Sequence, residues 1–393
     1  MPSAANIYLG EAETVVTIRT MLRKLPGFKI NSVCIWAAAL LGIPTSSLCF
    51  PVQVDHPRIE APPIVIKKWI RGPEVTSLMG KVHVFEFWST TCEPCLEAMP
   101  HLSKLARKYK DSVAFVGIDF YEAKTTAKWP SAVDKVERYV NAPDSPIPFS
   151  VGMDDINMTM SNAWFKATEN RIGEMPWTIL VDADGRIAWS GSPVFLGKAI
   201  DLLLQGGQDS AVIASATGRY CEQYVTYSFR FSEAMKARNY QGALVIAEDM
   251  RRSMPEASAD ADKLEYQALI GLNQGRAHQV GQHLLADYKD NPANLFSLAD
   301  YILRSDQIKT RRARDTALAL QMLATANASS YPYKGRILSD MALAQNYAGD
   351  PKKAVTTQEQ ALAVIATEGW RTEFVLKEKA ALENYRAGIK LRR

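Results

Sequence analysis

A pair of cysteines, Cys92 and Cys95, constrains the fold of this chain more than any other feature. They lie in the segment EFWSTTCEPCLEAMP, where an apolar β-rich run gives way to a helical pattern. A cysteine at the start of a helix meets unpaired backbone N–H groups and the positive end of the helix dipole, which both favour a thiolate. We therefore predict a strand followed directly by a helix, with a reactive thiol at the junction.

The two cysteines are expected to differ in role. Cys95 lies on an apolar stripe with Met99 and Leu102, so we expect it to be buried and Cys92 to be the nucleophile. A zinc half-site is the main alternative, but a four-thiolate site needs a second cysteine pair and only Cys221 follows downstream. A purely structural disulfide would close too short a loop to constrain the chain. Redox chemistry is therefore the favoured interpretation, and Cys221 is expected to be a small buried residue.

Residues 64–207 alternate between strand-like and helix-like patterns. The strand-like runs are KVHVFEFW, SVAFVGIDF and WTILVDADGRIAWSG. Such alternation predicts a mixed sheet covered by helices. Asp184-Gly185 is a short-hairpin signal, so the last two strands should be antiparallel.

Residues 215–393 are helical in pattern almost throughout. Small or β-branched residues recur every 37 positions, at Ala243, Val280, Ala317 and Ala354. The segment LSDMALAQNYAGDPKKAVTTQEQALAVI resembles a tetratricopeptide repeat. We therefore predict an all-α tetratricopeptide-like domain, with a non-repeating helical bundle as the alternative.

The N-terminal segment has the order of an export signal. From Met21 a basic stretch precedes an apolar run of 14 residues and then PTSS. We predict an export signal over residues 1–47, with Met21 as the true start, and a proline-rich linker over residues 48–63. A membrane anchor, a lipoprotein modified at Cys49 and a buried helix over residues 30–43 are the alternatives.

Composition excludes some partners. The 46 basic and 42 acidic residues give a net charge of +4, too small a bias to indicate nucleic-acid binding. The five histidines show no paired ligand spacing, so no metal site is predicted.

The cysteine segment and its surroundings resemble the TlpA/ResA-like thiol-disulfide oxidoreductases of the thioredoxin superfamily. The resemblance is carried by GKVHVFEFWSTTCEPC, by Pro100, by VAFVGIDF and by GEMPWTILVDADGRIAW. It implies a thioredoxin fold, a cis peptide bond between Met175 and Pro176, and a redox-active Cys92–Cys95 disulfide in place of a bound cofactor.

The resemblance also implies roles for further residues. Glu86 corresponds to a buried acid that carries the proton of Cys95, unless its side chain faces outward as a surface residue. Thr91 replaces a tryptophan that is usual in the family, which makes the rim of the site smaller. Cys92, Cys95, Glu86 and Pro176 are the implied catalytic residues, and the implied substrate-binding residues are Trp88, Glu93, Pro94, Met175 and Trp177. The two tryptophans could equally be core residues.

Together these features predict an exported thiol-disulfide oxidoreductase with a partner-binding helical domain. Its expected partners are disulfide-containing proteins, a reductant protein and a protein held by the helical repeats, and the resemblance adds a link to cytochrome c maturation. Glu93 should raise the pKa of Cys92 and favour reduction. An interaction scaffold with an accessory thioredoxin domain and a thiol peroxidase are the alternatives.

Overall fold

The computed structural model describes residues 59–123, 125–168, 175–206, 210–306, 308, 314–368, 370 and 372–390. The predicted export signal and most of the predicted linker lie outside the described residues. Residues Gln53–Arg393 form one compact unit. Among the described residues, no helix combines the length and the apolar character needed to cross a bilayer.

Six strands form one mixed sheet in the order β1-β4-β3-β2-β5-β6. Their bounds are Lys68–Arg71 (β1), Val82–Trp88 (β2), Val113–Asp119 (β3), Ser150–Met153 (β4), Trp177–Val181 (β5) and Ile187–Gly191 (β6). Strands β2, β3 and β4 are parallel, whereas β1, β5 and β6 pair antiparallel to their neighbours. Every residue of β2 is buried, as expected of a central strand covered on both faces.

The predicted hairpin joins β5 to β6. Gly185 has a φ of +76°, a left-handed conformation that glycine adopts without steric cost. The Asp182 carboxylate accepts hydrogen bonds from the backbone N–H groups of Asp184 and Arg186, both at 2.9 Å. The antiparallel pairing of the last two strands is therefore confirmed.

Four helices accompany the sheet. Their bounds are Glu93–Lys108 (α1), Trp129–Val140 (α2), Thr159–Ala167 (α3) and Leu196–Leu204 (α4), with short 3₁₀ turns at Thr126–Lys128 and Pro193–Phe195. Strand β2 leads directly into α1, as the sequence predicts. The mixed sheet with its flanking helices is the expected thioredoxin fold.

The described residues from 210 onward form a series of helices. The helices are Ser210–Lys236 (α5), Tyr240–Ser253 (α6), Ser258–Leu272 (α7), Gln274–Asp287 (α8), Pro292–Arg304 (α9), Thr316–Ala328 (α10), Lys334–Tyr347 (α11), Pro351–Glu368 (α12) and Thr372–Lys390 (α13), with a 3₁₀ turn at Pro255–Ala257. Neighbours in the chain pack against each other, for example α8 on α7 and α12 on α11. This confirms the predicted helical part of the chain, residues 210–390, called the helical region below.

The structure retains the 37-residue period, but in two helices the buried residue lies one position later than the residue that the sequence singles out. Ala243 and Ala354 are buried as predicted, but Ala317 is exposed and Val280 is half-buried. The buried positions in those two helices lie one residue later, at Gly281 and Leu318, which contact each other. The period therefore marks real packing between helices, although the type of repeat stays a prediction.

Candidate active site

The end of β2 and the start of α1 place the two cysteines. Cys92 caps the N-terminus of α1, and its Sγ accepts a hydrogen bond from the backbone N–H of Cys95 at 3.2 Å. The two residues are joined by a disulfide bond. In the reduced protein the same N–H and the helix dipole would stabilise a thiolate on Cys92.

The surroundings of the two cysteines are unequal. Cys92 is 7% exposed, whereas Cys95 is fully buried beside Met99 and Leu102. A disulfide of another molecule can reach only a cysteine that retains some exposure. The arrangement therefore suits Cys92 as the attacking thiol and Cys95 as the resolving one, as the sequence predicts.

Glu86 is a buried acid in the middle of β2. Its side chain is 1% exposed and accepts a hydrogen bond from the hydroxyl of Thr178 on the neighbouring strand β5. Burial raises the pKa of Glu86 to about 8, although the Thr178 hydrogen bond opposes that shift. Its position excludes the surface alternative, while its role as a proton carrier stays a prediction.

The peptide bond between Met175 and Pro176 is cis, as the resemblance implies. Strand β5 begins directly after it, and Trp177 pairs with Phe87 near the end of β2. This pairing brings the half-buried Met175 and Pro176 to the end of β2 from which the cysteine segment departs.

The remaining predicted site residues fall into two groups. Glu93 and Pro94 are half-buried in the first turn of α1, between the cysteines. Trp88 is fully buried and Trp177 is 3% exposed, so both rings lie inside the protein. The core interpretation, which the sequence leaves open for the tryptophans, describes their positions.

Glu93 is half-buried, so its carboxyl group is less solvated than that of an exposed residue at a helix start. Burial, together with the neighbouring carboxylate of Glu97, raises the pKa of Glu93 to about 7, while Arg336 of the helical region opposes the shift. Glu93 is therefore partly neutral near pH 7. Its negative charge beside Cys92 is weaker than the sequence suggests.

A buried acidic pair that the sequence analysis did not predict, Asp119 and Glu122, lies at the end of β3 and just after it. Asp119 pairs with Trp88 in the sheet and is fully buried. Burial is the main cause that raises the pKa of Asp119 well above its usual range, and the negative charge of Glu122 adds to this effect. Glu122 accepts a hydrogen bond from the backbone N–H of Thr90 and pairs with Lys135 at 3.4 Å. Acids directly after the apolar run VAFVGI were the available signal.

The helical region also reaches the cysteine segment. The Tyr333 hydroxyl donates a hydrogen bond of 2.6 Å to the carbonyl oxygen of Thr91, the residue before Cys92. Helix α9 packs on α1, and Lys263 of α7 forms a 3.2 Å ion pair with Glu97 of α1. No local sequence pattern predicts these contacts, because they join residues far apart in the chain.

Comparison with known proteins agrees with this geometry. Residues 74–202 match the Redoxin family. The chain is 32% identical over 148 residues to protein FixW of Rhizobium leguminosarum, which covers 37% of this chain and 65% of the relative. It is 28% identical over 115 residues to the thiol-disulfide oxidoreductase ResA of Bacillus cereus, covering 29% of this chain and 56% of the relative.

A solved thiol:disulfide interchange protein of the thioredoxin family from Chlorobium tepidum is 21% identical, with a TM-score of 0.28, over 35% of this chain and 87% of that chain. The chain spans only 54–65% of the length of the relatives FixW, YneN and ResA. The Redoxin match ends at residue 202, before the helical region begins. Within those bounds, the part of the chain that carries Cys92 and Cys95 matches the Redoxin family and is similar to the ResA-like thiol-disulfide oxidoreductases.

Proposed function

We propose that this protein is an exported thiol-disulfide oxidoreductase that reduces disulfide bonds in other proteins. The observation that carries the proposal is the disulfide at the start of α1, which joins a slightly exposed Cys92 to a fully buried Cys95. The similarity to ResA supports the reaction class. The export signal of the sequence supports an extracytoplasmic location.

The reaction starts from the reduced protein. The Cys92 thiolate attacks one sulfur of the substrate disulfide, a mixed disulfide forms, and the other substrate sulfur leaves as a thiolate that takes a proton. Cys95 then loses its proton and attacks the Cys92 sulfur, which releases the second substrate thiol. Two electrons pass to the substrate, and the protein is left with the Cys92–Cys95 disulfide. A reductant protein must restore the dithiol.

Glu86 is the proposed acceptor of the Cys95 proton. Only its carboxylate form can accept a proton, and with a pKa of about 8 that form is the minority at pH 7. The resolving step should therefore accelerate as the pH rises from 6 to 8. Replacement by glutamine removes the acceptor, so the Glu86→Gln variant should resolve the mixed disulfide more slowly and lose that acceleration.

Partner binding is proposed for the helical region. Stacked helix pairs present an extended surface that can hold another protein near the dithiol. The partner would be a disulfide-containing protein, and the resemblance to the TlpA/ResA-like group makes a component of cytochrome c maturation the first to test.

Trapping experiments test the dithiol chemistry. The Cys95→Ser variant keeps the attacking thiol but lacks the resolving one, so it should accumulate mixed disulfides with substrate proteins. The Cys92→Ser variant should neither reduce disulfides nor trap them. Non-reducing gels after incubation with insulin would show the difference. Equal trapping by both variants would contradict the assignment of Cys92 as the nucleophile.

A further inference from the structure

The cysteine segment at the start of α1 lies next to two different parts of the chain, the sheet and the helical region. The sheet supplies β2 and the segment before β5, and the helical region supplies Tyr333, which bonds the carbonyl oxygen of Thr91. That oxygen belongs to the peptide unit joined to Cys92, so it lies within a few ångströms of the cysteine side chain. Tyr333 is therefore hydrogen-bonded to the residue next to the cysteine that the proposed function assigns to attack.

The tyrosine is held in place by other aromatic rings. Its ring centroid lies 5.4 Å from that of Tyr331, 6.5 Å from that of Phe296 and 5.7 Å from that of Trp370. Burial and the nearby carboxyl of Glu93 raise the pKa of Tyr333, so its hydroxyl keeps the proton that it donates to Thr91. A side chain packed in this way does not swing aside freely.

The helical region itself is fixed to the thioredoxin fold around this point. The ion pair between Lys263 and Glu97 is largely removed from water, with side chains 16% and 15% exposed. The backbone N–H of Ser330 donates a hydrogen bond of 2.7 Å to the Asp144 carboxylate. These contacts fix the helical region to the thioredoxin fold, so substrates must approach Cys92 with the helical region in position.

We propose that Tyr333 determines the specificity of the dithiol by limiting the size of the disulfide-containing group that can reach Cys92. The inference rests on the proposed function and deepens it. Tyr333 narrows the approach, so small disulfides and disulfides on slender, extended segments react, whereas those in bulky surroundings are held back. The thioredoxin fold supplies the reaction, and the helical region selects what reacts.

Rate measurements on the full chain test this role. Each variant is reduced, freed of reductant and mixed with 5,5′-dithiobis(2-nitrobenzoate), a small disulfide, or with insulin, a folded protein with disulfide bonds. The first reaction is followed by absorbance and the second by a thiol-dependent gel shift after acid quenching. The readout is the ratio of the two rate constants, which a general change in thiol reactivity does not alter.

Replacing Tyr333 by a residue with a smaller side chain should widen the approach to Cys92. In Tyr333→Ala we expect the insulin rate to rise about tenfold, while the rate with the small disulfide changes by less than about twofold. Tyr333→Leu should fall between, and Tyr333→Phe, which keeps the ring, should stay near the original ratio. This series remains informative if the alanine variant folds poorly, because leucine and phenylalanine preserve apolar packing.

The matched control is Tyr288→Phe, which removes another tyrosine hydroxyl of the helical region. That hydroxyl bonds Asp262 and the carbonyl oxygen of Ala259, both within the helical region. The control should leave the ratio unchanged. An unchanged ratio in Tyr333→Leu and Tyr333→Ala, or slower insulin reduction, would overturn the role of Tyr333. A wild-type protein that reduces neither disulfide would instead overturn the proposed function, and this inference with it.

Discussion

Glu86 keeps its proton to a high pH because a carboxylate within β2 would be deprived of water. With a pKa raised to about 8 in the folded protein, it binds its proton more tightly than in the unfolded chain. The folded state is therefore favoured while Glu86 is protonated, and this contribution is lost as the pH rises from about 4.5 through 8. The same burial that suits a proton carrier makes the protein less stable in alkaline solution.

Replacing Glu86 by glutamine should remove this pH dependence. Between pH 5 and pH 8 the free energy of unfolding of Glu86→Gln should rise by about 3 kcal/mol relative to that of the wild-type protein. Urea unfolding at both pH values measures the difference. The matched control is Glu248→Gln, which changes an exposed carboxyl on α6 and is measured at the same two pH values. A constant difference for Glu86→Gln would contradict the raised pKa.

Individual residues differ in how well the sequence predicts them. Cys92, Cys95 and Glu86 were found because their significance depends on near neighbours in the chain and on a strand-to-helix junction. Tyr333 was not found, since the oxygen that it binds lies 242 positions earlier. Its importance depends on how two distant segments pack, which local patterns do not contain.

Among the elements, several helices of the helical region start where short polar side chains cap them. Asn239, Asn273 and Asp315 each accept a hydrogen bond from a backbone N–H in the first turn of the following helix. Such caps satisfy donors that a helix start otherwise leaves unpaired. In α8 and α10 the residues at the 37-residue spacing, Val280 and Ala317, lie one position before the buried residues Gly281 and Leu318. A one-residue error turns a helix by about 100° and moves a side chain off the buried face.

The cap of α6 can be tested by itself. Asn239 accepts the N–H of Gly242 at 3.0 Å, so Asn239→Ala should lower the free energy of unfolding by about 1 kcal/mol. The exposed neighbour Gln241 provides the control, since Gln241→Ala should change stability by less than about 0.5 kcal/mol. Thermal or urea unfolding distinguishes the two. Equal losses in both variants would show that the cap contributes nothing specific.

Across the whole molecule, the thioredoxin fold and the helical region share a continuous interface. Trp189 of β6 donates a hydrogen bond of 3.0 Å to Thr217 of α5, and the Phe195 ring lies against those of Tyr220 and Tyr224. Residues 64–207 are predicted to form a domain of their own, and their strands and helices do complete one fold. Separation at that boundary would nevertheless expose Trp189 and Phe195, which are 5% and 4% exposed in the full chain.

The ion pair between Lys263 and Glu97 measures how tightly the two parts are joined. Lys263→Met leaves the Glu97 carboxylate poorly solvated and should lower the free energy of unfolding by about 2 kcal/mol. The double variant Glu97→Leu, Lys263→Met removes both charges and should lie within about 1 kcal/mol of the wild-type protein. A double-mutant cycle with urea unfolding tests this. Additive losses would mean that the two side chains do not interact in solution.

The contact between Tyr333 and Thr91 has a consequence for the order of events during synthesis. Thr91 leaves the ribosome 242 residues ahead of Tyr333. At roughly 5–20 residues per second, the cysteine segment therefore exists for about 12–48 seconds before its covering tyrosine is made. During that interval a nascent chain carries Cys92 without the side chain that later narrows the approach to Cys92. Selectivity is thus the last property of this site to be acquired.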